Sequence, residues 1–380
     1  MTFRHVLTKA GKTTALLLTL AASYHASAAP EADVAIGYQA PLTGEYAQYG
    51  QTFRNSATLA VDDFNKTHRL PDARVVLKFE DSKSDAKEAI NIARKFSDDA
   101  SIVGVIGDFS SAASIAAGKV YANTHVPQLS QTASHPDFVK LSPWQFRNIT
   151  TMAYEAPRTA AWAHENGVKR IAIIAIQNDW GQSSVAEFTK AFKALGGEVV
   201  DTEFYNPGSR DFRSIVTKAS RTRPDAFYLV QFYEDGASLL QQLRQLGNRK
   251  PLYATSSLVE EQLIKLAGPA AEGVKLPSSF SVTAASPAAK AYIAEYRDRF
   301  HTDPNLFSAQ AYDATNIMLE AIVNGGGAKA TRQSVRDALA QTKDFPGVTG
   351  ATTFDPDTRE PSKQQQRLEI KNGSFVTVEQ

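Results

Sequence analysis

What most constrains this chain is a repeated alternation of short apolar runs with amphipathic stretches of about 10–15 residues. Residues 34–38 (Val-Ala-Ile-Gly-Tyr) read as a buried strand and are followed by the turn-like Pro41-Leu-Thr-Gly44. From Gly50 to about Asn65, Phe53, Ala57, Ala60, Val61 and Phe64 fall at helical spacing. Residues 74–79 predict a strand, 84–96 a helix capped by Ser84, 102–106 a strand, 110–123 a helix and 128–130 a short strand. Strands separated in this way argue for a parallel sheet covered on both faces.

The alternation then restarts. A helix containing Trp162 ends near Gly167, and residues 170–176 (Arg-Ile-Ala-Ile-Ile-Ala-Ile) are the most strand-like run in the chain. A helix over 183–195 closes at Gly196-Gly197. Strands follow at 199–204, 226–230 and 252–254, with helices at 212–220 and 236–246. Three further helices, over 286–300, around 312–323 and over 331–341, have too few strands for a third α/β unit, so they complete the first two. The last 30 residues read as a β-hairpin, with turn signals at Phe354-Asp-Pro-Asp357 and Lys371-Asn-Gly373.

The N-terminus reads as an export signal. Arg4, Lys9 and Lys12 stand without an acid before an apolar stretch of about eight residues, and Ala26-Ser27-Ala28 supplies a small-x-small cleavage site. A membrane helix needs roughly 20 apolar residues, so this stretch is too short to span. Gly11-Lys12-Thr13 is not a phosphate loop, because Val6 occupies the place of its required first glycine. Cleavage after Ala28 takes the formal net charge from +1 to −2. With no cysteine in the chain, disulfides, thiolate metal sites, thiol nucleophiles and a lipid anchor are excluded. A soluble periplasmic protein is expected.

Signals for catalysis are missing. The processed chain keeps His68, His125, His135, His164 and His301, none in a His-Glu-x-x-His pattern or a close metal pair, so no metal or cofactor is expected. No Gly-x-Ser-x-Gly elbow occurs, which weakens an exported hydrolase. Balanced charge, 41 basic against 40 acidic residues, gives no case for nucleic acid. What remains is a set of polar turns at strand ends: Gly107-Asp-Phe-Ser-Ser111, Ser130-Gln-Thr-Ala-Ser134 and Asn178-Asp-Trp-Gly181. In open α/β sheets ligands bind beyond the carboxyl ends of the strands, and hydroxyls beside a helix N-terminus suit a carboxylate. Helix capping is the competing reading of Ser110, Ser111 and Ser134, and core packing that of Trp180.

At these residues a family likeness emerges. Pro41-Leu-Thr-Gly44, Ala47-Gln-Tyr-Gly50, Val105-Ile-Gly107 with Ser110-Ser111, Ala133-Ser-His-Pro136, Arg170-Ile-Ala-Ile-Ile174 and Ala270-Ala-Glu-Gly273 stand in a recognisable order. Together they closely resemble the Leu/Ile/Val-binding family of periplasmic solute receptors, which serve ABC importers, and the likeness runs from about Ala32 to the end. It implies the type I periplasmic binding fold: two doubly wound parallel-sheet lobes joined by three hinge crossings. Its lobes would be 31–150 with 278–345, and 151–277 with 346–380.

The resemblance also implies a site. Ser111 and Ser134 would grip a ligand α-carboxylate, and the backbone around Thr132 and Ala133 would offer a carbonyl to its ammonium. Tyr49, Trp180, Phe232 and Tyr312 would line the side-chain pocket, with hinge closure bringing Trp180 and Phe232 over the ligand. Members that bind α-amino acids usually carry a glutamate after the strand ending here at Ala254, where this chain has Thr255-Ser256-Ser257. Either Asp108, Asp179, Glu234, Asp235 or Asp313 substitutes, or the ligand has no amine. The expected partners are a small-molecule ligand (an amino acid, another small carboxylate or an amide) and an importer permease, or a membrane sensor in its place, with the protein a monomer.

Overall fold

The computed structural model describes residues 32–283 and 285–378, so the expected signal peptide lies outside the described residues. Five parallel strands form the first sheet: β1 (Ala32–Ala40), β2 (Ala73–Asp81), β3 (Ile102–Ile106), β4 (Gln128–Ser130) and β5 (Gln145–Arg147), ordered β2-β1-β3-β4-β5. The second sheet contains β6 (Arg170–Ile176), β7 (Glu198–Tyr205), β8 (Ala226–Val230), β9 (Leu252–Ala254) and β10 (Val274–Ser278). A two-stranded ribbon, β11 (Phe345–Gly347) and β12 (Gly350–Thr352), stands apart. The hairpin β13 (Gln366–Lys371) and β14 (Ser374–Val378), turning at Asn372-Gly373, adds an antiparallel edge to the second sheet, giving β14-β13-β10-β9-β8-β6-β7. This is the type I periplasmic binding fold.

In each sheet the first strand lies between its next two, β1 between β2 and β3 and β6 between β7 and β8. The order reverses there, which opens a crevice at the strands' carboxyl ends. The strands beside these crevices carry Val, Ile, Leu and Ala on both faces, and β3, β6 and β8 are buried essentially throughout, as strands covered by helices on both sides must be.

Helices α1 (Ala47–Lys66), α2 (Ala86–Asp98) and α3 (Ser111–Thr124) belong to the first sheet, and α4 (Met152–Glu165), α5 (Asp179–Ala194), α6 (Arg213–Arg221), α7 (Tyr233–Gln245) and α8 (Glu261–Ala267) to the second. Then α9 (Pro287–Phe300), α10 (Leu306–Asn324) and α11 (Arg332–Ala340) return to the first, with α10 packed along α1 and onto β3. The chain therefore passes between the two sheets three times, after β5, after β10 and after β12. Among the described residues no helix is long and apolar enough to cross a membrane.

Local chemistry shifts several expected boundaries. Asp85, not Ser84, caps α2, because its carboxylate accepts from the N–H groups of both Lys87 and Glu88 at 2.8 and 2.9 Å. The helix expected from Ser183 begins at Asp179, with Asn178 as its cap. Trp180 thus sits in a helical first turn rather than a loop. Strands β5, β10, β11 and β12 differ from the expected pattern: three-residue runs and a run containing Pro277 carry almost no periodicity.

Candidate ligand-binding site

A cavity of about 280 Å³ lies where the carboxyl ends of the two sheets face each other. From the first sheet's side it is lined by Tyr46, Phe109, Ser110, Ser111, Thr132 and Ser134, and from the other by Trp180, Phe232, Ser256 and Ser257. Phe307, in the first turn of α10, completes the wall.

Its polar end is built on the turn from β3 into α3. Gly107 adopts φ +129°, where a Cβ would lie 2.2 Å from the Gln39 carbonyl oxygen, so only glycine lets the strand end turn so tightly. Behind it the buried Asp108 carboxylate accepts from Gln39 Nε2 at 2.9 Å, and burial pushes its carboxyl up to about 6. Ser110 caps α3 by accepting from the Ala113 N–H. The N–H groups of Ser111 and Ala112 precede the first residue that can bond within the helix, so they are free to meet an anion. The Ser111 hydroxyl accepts from the His135 N–H at 3.3 Å. Among the described residues none bonds the Ser134 hydroxyl.

The second polar turn is clamped to the first. Thr132 Oγ1 donates to the Phe109 carbonyl at 2.7 Å, and Ser130 Oγ accepts from the Ala133 N–H at 2.9 Å. The fully buried Arg147 guanidinium donates to the carbonyls of Ala133 and His135 at 2.7 and 2.9 Å. Ala133 itself does not line the cavity, and its carbonyl already serves Arg147, so Thr132 is the member of that pair facing the pocket.

The opposite wall is aromatic. Trp180 and Phe232 come from the starts of the helices after β6 and β8, the two strands beside the second crevice, and their rings stack at 5.0 Å and 21°. Asn178 fixes the first turn by accepting from the Gly181 N–H at 2.7 Å, and a Cβ at Gly181 would lie 2.0 Å from the Ile176 carbonyl oxygen. Phe109 and Tyr46, from the first side, approach Phe232 at 5.2 and 5.4 Å, so rings from both sides close around the cavity.

Two expected pocket residues lie elsewhere. Tyr49 is buried one turn deeper on α1 than Tyr46, stacked on Phe109 at 4.5 Å and against Phe307 at 4.8 Å, so it backs the wall. Tyr312 follows Phe307 by five residues, a rotation of roughly 140° on the helix. It lies against Tyr292 at 4.4 Å and borders a separate groove beside Asp313 and Asn316. Tyr46 and Phe307 stand where those two were expected. Both flank turn or cap residues at the starts of α1 and α10, which was the available signal.

Of the five acids weighed as a substitute for the missing glutamate, four are already engaged. Asp108 is held by Gln39, Glu234 and Asp235 both meet Arg210, and Asp313 accepts from the N–H groups of Val348 and Thr349. Asp179 lines the cavity at its exposed rim. Glu45 also lines the cavity, at an exposed position. Behind the wall, Glu155 on α4 is fully buried and accepts from Ser256 N at 2.8 Å and Ser256 Oγ at 2.6 Å. Gln365 Nε2 donates to the same carboxylate at 2.9 Å. Burial raises the Glu155 pKa while these three donors oppose the rise.

A family model described as a periplasmic binding protein matches residues 33–374. The chain belongs to the periplasmic binding protein family. This is a family of solute receptors rather than enzymes. The binding protein is 27% identical over 347 residues to the Leu/Ile/Val-binding protein BraC3 of Rhizobium johnstonii, covering 89% of this chain and 92% of that one. A solved putative branched-chain amino acid ABC transporter protein from Rhodospirillum rubrum is 44% identical with TM-score 0.71, covering 91% of this chain and all of that one. The branched-chain amino acid substrate binding protein LivJ of Streptococcus pneumoniae, solved with isoleucine, is 25% identical with TM-score 0.83, at 91% and 100% coverage. Among the described residues of the binding protein, no group of three or more His, Asp or Glu could hold a metal ion.

Proposed function

We propose that this protein captures a small carboxylate-bearing molecule in the cavity between its two sheets and presents it to the permease of an ABC importer. The observation that carries the reading is the pairing of the α3 N-terminus and the Ser111 and Ser134 hydroxyls with an aromatic enclosure. Free N–H groups and hydroxyls stabilise an anion without a counter-ion, and stacked rings bury an apolar tail with few rotors to freeze. A volume near 280 Å³ suits a single amino acid or an aromatic or keto acid. The relative named for leucine, isoleucine and valine, and the solved one holding isoleucine, make branched-chain amino acids the first ligands to try.

The working parts are two lobes, residues 32–150 with 279–363 and residues 151–278 with 364–378, opening and closing about three crossings. The last boundary is set near 364 rather than at 346 because Arg359 donates to the carbonyls of Gln145 and Val139, Glu360 pairs with Arg147 and Lys363 is buried against Asp313 and Thr349, all on the first lobe. Closure excludes water from the cavity and strengthens its polar contacts. Export through residues 1–28 places the monomeric receptor in the periplasm.

A second reading, a carboxylate without an amine, is favoured by Ser256 in the place of the family's glutamate. Native mass spectrometry of gently purified protein, followed by extraction and identification of the bound molecule, tests both. A small carboxylate is expected. A neutral sugar, a peptide or chemical turnover of the bound molecule would overturn the proposal.

A further inference from the structure

Ser256 faces the cavity, yet its hydroxyl proton is committed behind it. Ser256 Oγ donates to Glu155 Oε2 at 2.6 Å, and the Ser256 N–H donates to Glu155 Oε1 at 2.8 Å. A serine hydroxyl has one proton and two lone pairs, so a serine that donates backwards can only accept from the cavity. The pocket therefore presents a hydrogen-bond acceptor at this point, backed within one bond by a carboxylate.

Glu155 is a buried hydrogen-bond acceptor without a cationic partner among the described residues, held by three donors that oppose the upward pull of burial on its pKa. It lies in the first turn of α4, where the helix dipole favours negative charge, and both of its oxygens accept hydrogen bonds. Among the described residues no lysine, arginine or histidine pairs with it. A buried carboxylate without a cation is costly, and a cation brought in by a ligand offsets that cost. Such a cation must reach it from the cavity, and Ser256 is the group between.

We propose that Glu155 is the carboxylate that answers a ligand amine in this receptor, acting as a positioning residue through Ser256. The ligand's ammonium donates to Ser256 Oγ, whose own proton remains on the serine and hydrogen-bonded to Glu155, and the carboxylate's charge offsets the ammonium's. The role of the missing glutamate is thus moved to an element 101 residues away in sequence. The ligand class that follows is an α-amino acid with an apolar side chain, its carboxylate on Ser111 and Ser134 and its amine on Ser256. This rests on the carboxylate-receptor reading above. The competing role is structural, since Gln365 ties Glu155 to Thr150 and hence one crossing to another.

Calorimetric titration separates these roles. The probes are the standard α-amino acids and the matched acids lacking the amine, 4-methylpentanoate for leucine and 3-phenylpropanoate for phenylalanine. The wild type is expected to bind one amino acid well above its amine-free partner. Glu155→Gln and Ser256→Ala should each weaken that amino acid by at least about tenfold while leaving the amine-free acid within about threefold. Asp179→Asn should retain the preference. If Glu155→Gln fails to fold, Ser256→Ala must still show the selective loss. Equal binding of both acids by the wild type, equal weakening of both by the variants, or loss of the preference in Asp179→Asn overturns the proposal. Binding of amine-free acids alone overturns it while sparing the carboxylate reading. Unchanged binding in Ser111→Ala/Ser134→Ala, or no binding of either series, removes the carboxylate reading as well.

Discussion

The side-chain amide of Asn305 donates to the buried carboxyl of Glu260, joining the residue that caps α10 on the first lobe to the residue that opens α8 on the second. The same Asn305 side chain accepts from the Ser308 N–H at 2.8 Å, so one residue both starts a helix and holds the lobes together. Burial pushes the Glu260 carboxyl up to about 7. A raised carboxylate favours the native contact when neutral. Its contribution is therefore full below the unfolded value near 4.5 and is lost as pH rises through about 7. The effect is on the order of 3 kcal/mol. Asp108 and Asp235, each raised to about 6 by burial, titrate in the same direction, so the comparison must be between variants. Urea unfolding at pH 5 and pH 8 should show a smaller loss in Glu260→Gln than in the wild type, because glutamine keeps the bond to Asn305 and cannot ionise. An identical loss in both would remove the assignment.

Ser111 and Ser134 stand on separate turns of one sheet and meet at the same end of the cavity. Replacing both with alanine should weaken a carboxylate ligand at least tenfold, from about 1.5 kcal/mol or more for hydrogen bonds to a charge. The thermal midpoint should move little, since the only bond lost among the described residues is the long one from the His135 N–H to Ser111. Titration of the double variant against wild type, with the ligand recovered from the purified protein, reads the effect directly.

Trp180 gives an optical report. The chain has three tryptophans, and the other two pack away from the cavity, Trp144 against His125 and Trp162 against Tyr253. Ligand binding should change the intrinsic emission through Trp180 alone. Trp180→Phe should abolish that change and keep most of the affinity, because phenylalanine can still stack on Phe232. An undiminished emission change in this variant would place the responding tryptophan outside the pocket.

Tyr312→Phe should leave ligand affinity unchanged, measured by the same titration, because α10 turns that ring toward Tyr292 rather than the cavity. The case shows what the sequence could and could not carry. The alternation of strands and helices, and the polar turns at the ends of β3, β4 and β6, are local patterns, so the two sheets and the Ser111, Ser134 and Trp180 corners were readable. The side of a helix that meets a cavity depends on rotation against a distant partner, so the cavity-facing rings lie three residues before Tyr49 and five before Tyr312. Glu155 was harder still, because its partner Ser256 lies on another element. One signal was present: Met152, Glu155, Ala156, Thr159, Ala160 and Ala163 form the buried stripe of α4, and an acid on such a stripe demands an explanation.

The crossing that leads from β12 into β13 is anchored by charge. Lys363 is fully buried, with its ammonium 3.6 Å from Asp313 Oδ2 and bonded to Thr349 Oγ1. Burial lowers the Lys363 pKa, with Asp313 opposing the fall. Asp313 also accepts from the N–H groups of Val348 and Thr349 at 2.7 and 2.9 Å, which pins the β11–β12 ribbon to α10. Removing one partner of a buried pair leaves the other charge uncompensated, so Lys363→Met should cost roughly 3–5 kcal/mol in urea unfolding. Asp313→Asn alone should cost a similar amount, since it strands the ammonium. The double variant should cost less than the sum of the two, because once one charge is gone removing the other relieves a penalty. Strict additivity would mean that the ribbon is held by its backbone bonds and that the charges are incidental. A coupling would identify Lys363 as the clamp that fixes where the third crossing begins, and hence which residues move together when the receptor closes.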